Sequence, residues 1–144
     1  MITGADRAVL TECYKNAHVG RDAINILISK VEDEDLALDL NRQACRFLRY
    51  EEQVEREFAK EKEEMPRESL LDRTKLWGGI QMNTLLNTST PHLADMLIRG
   101  NAMGITDLMK AVKANRGAQR EYCEMAREIM DFEEKNMEKL RAYL

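Results

Sequence analysis

Two consecutive stretches of the chain carry apolar residues at alternating steps of three and four, the spacing that an α-helix brings onto one face. In the first stretch these residues are Leu10, Cys13, Ala17, Gly20, Ile24, Leu27 and Val31. In the second they are Ala37, Leu40, Ala44, Phe47, Val54 and Phe58, with Glu51 standing where an apolar residue would continue the series. The pattern predicts two long helices, each with one face packed against a neighbouring helix.

Capping signals and a short acidic turn set the expected limits of these helices. Thr3 stands three residues before Asp6 in the arrangement of a capping box, so the first helix should run from about Ala5 to Val31. The acidic run Glu32–Asp35 places negative charge at the start of the second helix, where the helix dipole favours it. Because this connection is so short, the two helices should form an antiparallel hairpin.

The second half of the chain is predicted to contain another hairpin, which follows a connecting helix. Residues 67–86 carry a weaker helical pattern and would span about 30 Å as a helix. Thr90 before Pro91 is typical of a helix start and predicts a helix over Pro91–Lys113. A turn at Gly117 then leads into a last helix that starts at about Ala118 and reaches the C-terminus. The sequence thus predicts an all-α fold of about five helices.

Two hairpins joined by a helical crossover are the plan of a four-helix bundle of up-down-down-up order. The 144 residues, 44% hydrophobic and 33% charged, fit a single domain over residues 1–144. The net charge of −4 is not gathered into a basic stripe, which argues against nucleic acid and membrane surfaces as partners. No stretch approaches the ~20 apolar residues of a membrane span, and no signal-peptide pattern opens the chain, so we expect a cytoplasmic protein.

The cysteines agree with a reducing compartment. Cys13, Cys45 and Cys123 are odd in number and far apart, and they form no Cys-x-x-Cys pair. We therefore expect three reduced, buried thiols and no disulfide.

The order hairpin, crossover, hairpin and the stretch NAHVGRDAINILISKVEDEDLALDLNRQ together resemble the ferritin-like superfamily, in particular its small bacterial members, over essentially the whole chain. Metal-binding members of that superfamily carry Glu-x-x-His on the second and fourth bundle helices. Here Glu51 is followed by Val54 and Glu133 by Asn136, and neither histidine stands three residues after a glutamate. The resemblance therefore implies the fold without the di-iron oxidase chemistry, which needs imidazole ligands.

Four carboxylates on or beside the apolar faces are the candidate site residues: Glu12, Glu51, Asp107 and Glu133. At the helical rise, Glu133 should lie roughly 10 Å higher in the bundle than the other three. One interpretation is a carboxylate-only site for Mn, Fe or another divalent cation such as Mg²⁺ or Ca²⁺. The other is that these acids reach solvent or pair with basic residues such as Arg21, Arg46 or Lys110, and then no cofactor is expected.

These features favour a non-catalytic bundle that acts through its surfaces, as a homo-oligomer, most simply a dimer, or as a module that binds another protein. The alternative function is a metal-binding or metal-dependent protein that uses the four carboxylates. A third hypothesis is a small-molecule pocket beneath Trp77 and its neighbouring glycines. Gly100 and Gly104, four residues apart, favour close helix packing, with Gly20 as the matching groove.

Overall fold

The computed structural model describes residues 1–65, 70–84 and 87–144, and within 70–84 it gives side chains for residues 75, 76 and 78–84. The described residues form five α-helices and no strand, which confirms the all-α class. The helices are α1 (Gly4–Leu27), α2 (Glu34–Lys60), α3 (Leu70–Thr84), α4 (Thr90–Ala114) and α5 (Arg120–Leu140). The ends of the predicted crossover and the Trp77 side chain lie outside the described residues. No helix in the described ranges combines the length and apolar character needed to cross a membrane.

The N-terminal caps largely follow the predicted chemistry. The capping box of α1 is confirmed, since Thr3 Oγ1 accepts from the Asp6 N–H at 3.1 Å and Asp6 Oδ2 accepts from the Thr3 N–H at 2.9 Å. α2 is capped by Asp33, whose carboxylate accepts from the Leu36 N–H. The cap of α4 is Ser89 and not Thr90, so this helix begins one residue earlier than predicted.

The C-terminal end of α1 is shorter than its apolar pattern predicts. The α-helix ends at Leu27, and Ile28–Lys30 form a tighter 3₁₀ turn before Val31 becomes extended. A single 3₁₀ turn is a common way to satisfy the last carbonyl groups of a helix. A similar turn, Arg141–Tyr143, follows α5.

The apolar faces of α1, α2, α4 and α5 meet in one buried cluster. The predicted faces are buried as expected at Leu10, Cys13, Ala17, Ile24 and Leu27 in α1 and at Leu40, Phe47, Val54 and Phe58 in α2. Gly20 is required by α2, because a Cβ at this position would lie 2.7 Å from the Phe47 ring. Gly20 therefore makes room for an aromatic side chain of α2, and the prediction that it forms a groove for the α4 glycines is wrong.

The chain folds into two hairpins that pack side by side. In the first, Arg7 near the start of α1 contacts Glu63 just beyond α2. In the second, α4 and α5 pack along their length. α1 also contacts α3, α4 and α5, whereas α2 meets α5 at few points. The core therefore lies around α1.

All three cysteines are free, but only two of them are buried. Cys13 and Cys123 lie inside the bundle, and burial raises the pKa of the Cys13 thiol to about 12. Cys45 is exposed, which corrects the prediction of three buried thiols. It lies one residue beyond Ala44 of the apolar face and therefore points away from the core.

Candidate functional site

A cavity of about 390 Å³ lies between α1, α3, α4 and α5 and reaches Phe47 of α2. Its wall is mainly aliphatic and thioether: Val19, Ala23, Ile24 and Leu27 of α1, Leu76 and Ile80 of α3, and Met96, Leu97 and Met103 of α4. The volume falls in the range of about 300–1,000 Å³ that is usual for small-molecule sites. The size and the apolar wall suit an organic molecule.

α4 presents two glycines to the cavity, and they differ in the space around them. Gly100 and Gly104 both line the cavity, and a Cβ at Gly100 would have no heavy atom within 4 Å. The prediction that these glycines bring two helices into close contact is therefore wrong at Gly100. Gly104 is crowded, but by polar side chains, since a Cβ there would lie 2.7 Å from Glu133 Oε1 and 2.8 Å from Asn16 Oδ1.

Glu133 of α5 is the most unusual group in this cavity. Its side chain is only 2% exposed, and Oε2 is buried with no hydrogen-bond partner among the described residues. Burial, and to a lesser degree the negative charge of Asp107, raises the pKa of the Glu133 carboxyl to about 9. Glu133 is therefore protonated and neutral at pH 7 in the protein by itself.

Three buried asparagines lie beside this carboxyl: Asn16, Asn101 and Asn136. Asn16 Nδ2 donates to the Gly104 carbonyl at 2.8 Å, and Asn101 Nδ2 donates to the Leu97 carbonyl at 2.8 Å. Asn136 Nδ2 donates to Asn101 Oδ1 at 3.4 Å. Their amide N–H groups thus have partners within the protein, which fixes the orientation of the amides.

Gln43 of α2 adds a second unsatisfied group. Its side chain is 4% exposed, and Nε2 has no hydrogen-bond partner among the described residues. Gln43 lines the cavity and also a shallow surface groove between α2 and α5. We call Glu133, Gln43, Asn16 and Asn101 the polar end of the cavity; it contains two buried polar atoms without partners.

The opposite, outer part of the cavity reaches solvent and is acidic. Met103 is 68% exposed, and the lining residues Asp107 and Lys15 are also exposed. Glu12 is half-buried here, and its pKa is raised by burial and by Asp107, against the lowering effect of Lys15. A molecule can therefore enter from this side, past two carboxylates.

Three of the four predicted site residues, Glu12, Asp107 and Glu133, line this one cavity. The contact of Glu133 with Gly104 and Asn16 places it about one helical turn, or roughly 5 Å, from the level of the other two. This contact is made by the end of the Glu133 side chain, so the predicted offset of roughly 10 Å between the residues along the bundle stays a prediction.

The fourth predicted residue, Glu51, does not line the cavity and instead joins α2 to α1. Its carboxylate is 2% exposed and accepts hydrogen bonds from Arg21 Nε at 2.5 Å and from His18 Nδ1 at 2.5 Å. His18 Nε2 in turn lies 3.3 Å from Asp22 Oδ2. The hydrogen bond from Arg21 to Glu51 raises the pKa of the guanidinium. Glu51 thus pairs with Arg21, one of the three basic residues that were expected as possible partners of the four acids.

The donor set of the cavity does not fit a ferritin-type di-iron centre. The described lining residues include no histidine, and Asn136, at the position where such a centre needs an imidazole, donates its amide to Asn101. Within residues 1–65, 70–84 and 87–144, no group of three or more His, Cys, Asp and Glu side chains is arranged so that it could hold a metal ion.

The polar end of the cavity was only partly visible in the sequence. Glu133 was identified because it interrupts an apolar face, as Glu51 does. Asn16, Gln43 and Asn101 were missed, although each stands next to a small residue of an apolar face, namely Ala17, Ala44 and Gly100. An amide residue next to a small residue on each of several facing helices was therefore the sequence pattern that could have indicated the polar end of the cavity.

Comparisons of the chain with protein-family models, with curated protein sequences and with solved structures find no match. No ligand, substrate or partner is thus transferred from a matched protein. The function has to follow from the cavity and the residues that line it.

Proposed function

We propose that this chain is a non-catalytic helical bundle that binds a small organic molecule in the cavity between α1, α3, α4 and α5. The observation that carries this proposal is a mainly apolar cavity lined by a buried carboxyl, one oxygen of which has no hydrogen-bond partner in the part of the chain that the structure describes. An apolar wall favours a hydrocarbon body, and a polar group of the bound molecule would give the unsatisfied atoms the partners that they lack.

The free energy available from the apolar wall is enough for measurable binding. Each CH₂ group removed from water contributes about 0.8 kcal/mol, so an eight-carbon chain contributes roughly 6 kcal/mol. Lost translational and rotational freedom offsets several of these kcal/mol. Molecules of this size should therefore bind with dissociation constants in the millimolar range, and polar contacts would tighten the binding further.

A ferritin-like arrangement of the helices is part of the proposal. Asp6 in the first turn of α1 contacts Gln119 just before α5, which supports a parallel course of these two helices. Arg46 of α2 pairs with Glu128, and Glu57 later in α2 pairs with the earlier Tyr122, which supports an antiparallel course of α2 and α5. These contacts favour the up-down-down-up order.

Methyl NMR tests the proposal directly. Met96 and Met103 line the cavity, whereas Met1 and Met82 are exposed elsewhere, so their ¹³C-methyl signals separate cavity binding from surface binding. On addition of 1-octanol we expect saturable shifts at Met96 and Met103 and none at Met1 and Met82. The signals can be assigned by single Met→Leu substitutions.

A pair of matched variants completes this experiment. Gly100→Leu adds a bulky side chain at a cavity-lining position that has open space around it, so it should abolish the octanol shifts without unfolding the protein. Gly79→Leu makes the same change on α3 at an exposed position outside the cavity lining and should leave the shifts intact. Shifts that survive Gly100→Leu, or that never appear in the unmodified protein, would refute binding in this cavity.

Self-association is a second proposed function, favoured by one surface feature. Leu38, Cys45 and Leu48 lie on one outer face of α2, and the two leucines are 50% and 41% exposed. Exposed apolar residues on one face are typical of a contact with another protein. Light scattering should give the mass of a dimer for the unmodified chain and that of a monomer for Leu48→Glu; a monomer in both cases would exclude this role for α2.

A further inference from the structure

We infer that the molecule bound in this cavity carries a protonated amine, which pairs with the carboxylate of Glu133 while its hydrocarbon part lies against the apolar wall. This inference rests on the proposed function and adds the chemical class of the ligand. It follows from the charges that face the cavity, from the contrast between two buried glutamates, and from the position of Glu133 relative to the entrance.

The charges around the cavity are unbalanced. Its described lining contains three carboxyl groups, on Glu12, Asp107 and Glu133, and one basic group, on Lys15. The titratable groups that interact with Glu133 are Asp107 from α4 and the Cys13 thiol from α1. Glu12 and Lys15 from α1 line the same cavity, and the described lining residues of α2 and α3 have no titratable group. A bound cation would reduce this imbalance, and a bound anion would increase it.

The two buried glutamates differ in their hydrogen-bond partners. Glu51 and Glu133 are each 2% exposed. Glu51 has a guanidinium and an imidazole from α1 within hydrogen-bond distance, whereas Glu133 Oε2 has no partner among the described residues. A buried carboxylate requires such partners to be stable. An ionised Glu133 would need a cationic partner of the same kind, and the cavity provides the space for one to arrive from outside the chain.

The location of Glu133 explains why an amphiphilic amine suits the site better than a small inorganic cation. The carboxyl is buried and lies over Gly104, and apolar side chains form most of the cavity wall. A molecule that fills the cavity therefore brings its polar group to Glu133 and leaves its hydrocarbon part against Leu97, Ile80 and their neighbours. The acidic entrance at Glu12 and Asp107 attracts the same cation on its way in.

A neutral ligand is the main competing possibility, because the protonated carboxyl can donate its O–H to a carbonyl or hydroxyl oxygen. The two cases differ in the proton of Glu133. An ammonium pairs with the ionised form, so its binding at pH 7 releases the proton to solvent, whereas a neutral acceptor retains it. With the carboxyl pKa at about 9, the affinity for an ammonium should rise about tenfold from pH 7 to 8 and about fivefold from pH 8 to 9.

Isothermal titration calorimetry with n-octylamine, 1-octanol and octanoate tests the inference. Titrations in buffers of different ionisation enthalpy report the number of protons released. For the unmodified protein we expect n-octylamine to release close to one proton at pH 7, to bind more tightly as the pH rises to 9, and to exceed octanoate at every pH. Glu133→Gln should remove both the proton release and the pH dependence of n-octylamine binding.

Asp107→Asn is the matched control, because it removes a carboxylate at the entrance and not at the polar end. If n-octylamine loses affinity in Asp107→Asn and keeps it in Glu133→Gln, the amine binds at the entrance and the inference is wrong. If n-octylamine and 1-octanol bind equally without proton release, the inference also fails, but the proposed function stands. If neither compound binds or shifts the Met96 and Met103 methyl signals, the inference and the proposed function are both wrong.

Discussion

At the scale of single residues, Glu51 links the two helices of the first hairpin by charge. Replacement by Gln removes the negative charge that faces Arg21 and His18 within a buried contact. Hydrogen bonds to charged groups contribute about 1.5–3 kcal/mol, and the 27% exposure of Arg21 favours the lower part of this range. We expect Glu51→Gln to lower the free energy of unfolding by about 1–2 kcal/mol in urea denaturation.

Glu128→Gln is the control for this substitution. Glu128 also pairs with an arginine, Arg46, but the two side chains are 53% and 43% exposed. Exposed pairs contribute about 0–1 kcal/mol, so this variant should stay close to the unmodified protein. Equal losses for Glu51→Gln and Glu128→Gln would mean that burial adds nothing to the Glu51 contact.

The two glycines of α4 should respond to alanine in opposite directions. Alanine is favoured over glycine by about 1 kcal/mol in a helix interior, and Gly100 has room for the extra methyl group. At Gly104 the same methyl group would lie within 2.8 Å of Glu133 and Asn16, which must then move inside a buried site. Thermal denaturation should show a gain for Gly100→Ala and a loss for Gly104→Ala. Equal gains would mean that the polar side chains move freely.

Single residues of the site could be predicted from the sequence only where the pattern of one helix is enough to identify them. Glu133 and Glu51 both interrupt an apolar face, so the sequence identifies both as candidate site residues, and the structure shows that both are buried. The basic groups that contact these glutamates depend on how α1 aligns with α2 and α5. The periodicity of a single helix does not indicate this alignment. The sequence therefore could not separate the satisfied glutamate from the unsatisfied one.

At the scale of helices, Asp6 joins the beginnings of α1 and α5. Its carboxylate is fully buried and accepts from the Thr3 N–H, the Gln119 N–H at 2.7 Å and Gln119 Nε2 at 2.9 Å. Burial alone would raise the pKa of Asp6, but these hydrogen bonds outweigh it and lower the pKa to about 2. Replacement of Asp6 by Asn should lower the free energy of unfolding at pH 7 by about 1–3 kcal/mol, measured in urea.

The matched control is Asp33→Asn at the cap of α2. Asp33 accepts from one backbone N–H, that of Leu36, and asparagine caps helices about as well as aspartate. This variant should therefore change the stability by only a few tenths of a kcal/mol. A similar loss in both variants would mean that Asp6 acts as an ordinary cap and not as a link between helices.

Helix existence and helix ends were predictable to different degrees. The periodicity of three and four identified α1 and α2, because each helix buries one continuous face. The ends depend on local hydrogen bonds, such as the serine cap of α4 and the 3₁₀ turn after Leu27, and several arrangements are compatible with the same residues. The start of α5 at Arg120 depends on the contact of Gln119 with Asp6, which no local pattern indicates.

At the scale of the whole molecule, the position and the lining of the cavity could not be predicted from the sequence. A cavity forms where the side chains of several helices together leave space unfilled. Each of those helices has an ordinary apolar pattern on its own. The glycines at 100 and 104 were noticed, but glycine allows both close packing and open space. Only the positions of α1, α3 and α5 relative to α4 decide between the two outcomes.

The two perturbed carboxyls together predict how the stability of the whole protein depends on pH. The native pKa of Asp6, about 2, lies below the ordinary value of 3.8, so its contribution is present above pH 4 and is lost as the pH falls towards 2. The native pKa of Glu133, about 9, lies above the ordinary value of 4.5, so its contribution is complete below pH 4.5 and is lost as the pH rises towards 9. We therefore expect maximal stability near pH 4–5, measured by urea denaturation at a series of pH values.

Glu133→Gln isolates the alkaline half of this profile. Between pH 5 and 9 the unmodified protein should lose about 1.4 kcal/mol per pH unit through Glu133, because the unfolded chain releases a proton that the native state retains. The Gln variant has no such proton, so its stability should exceed that of the unmodified protein at pH 8 and match it below pH 4.5. Parallel profiles for the two proteins would place the Glu133 carboxyl in contact with water. At saturating n-octylamine, the stability of the unmodified protein should depend on pH as weakly as that of the variant does. The reason is that a bound ammonium stabilises the ionised carboxylate in the native state.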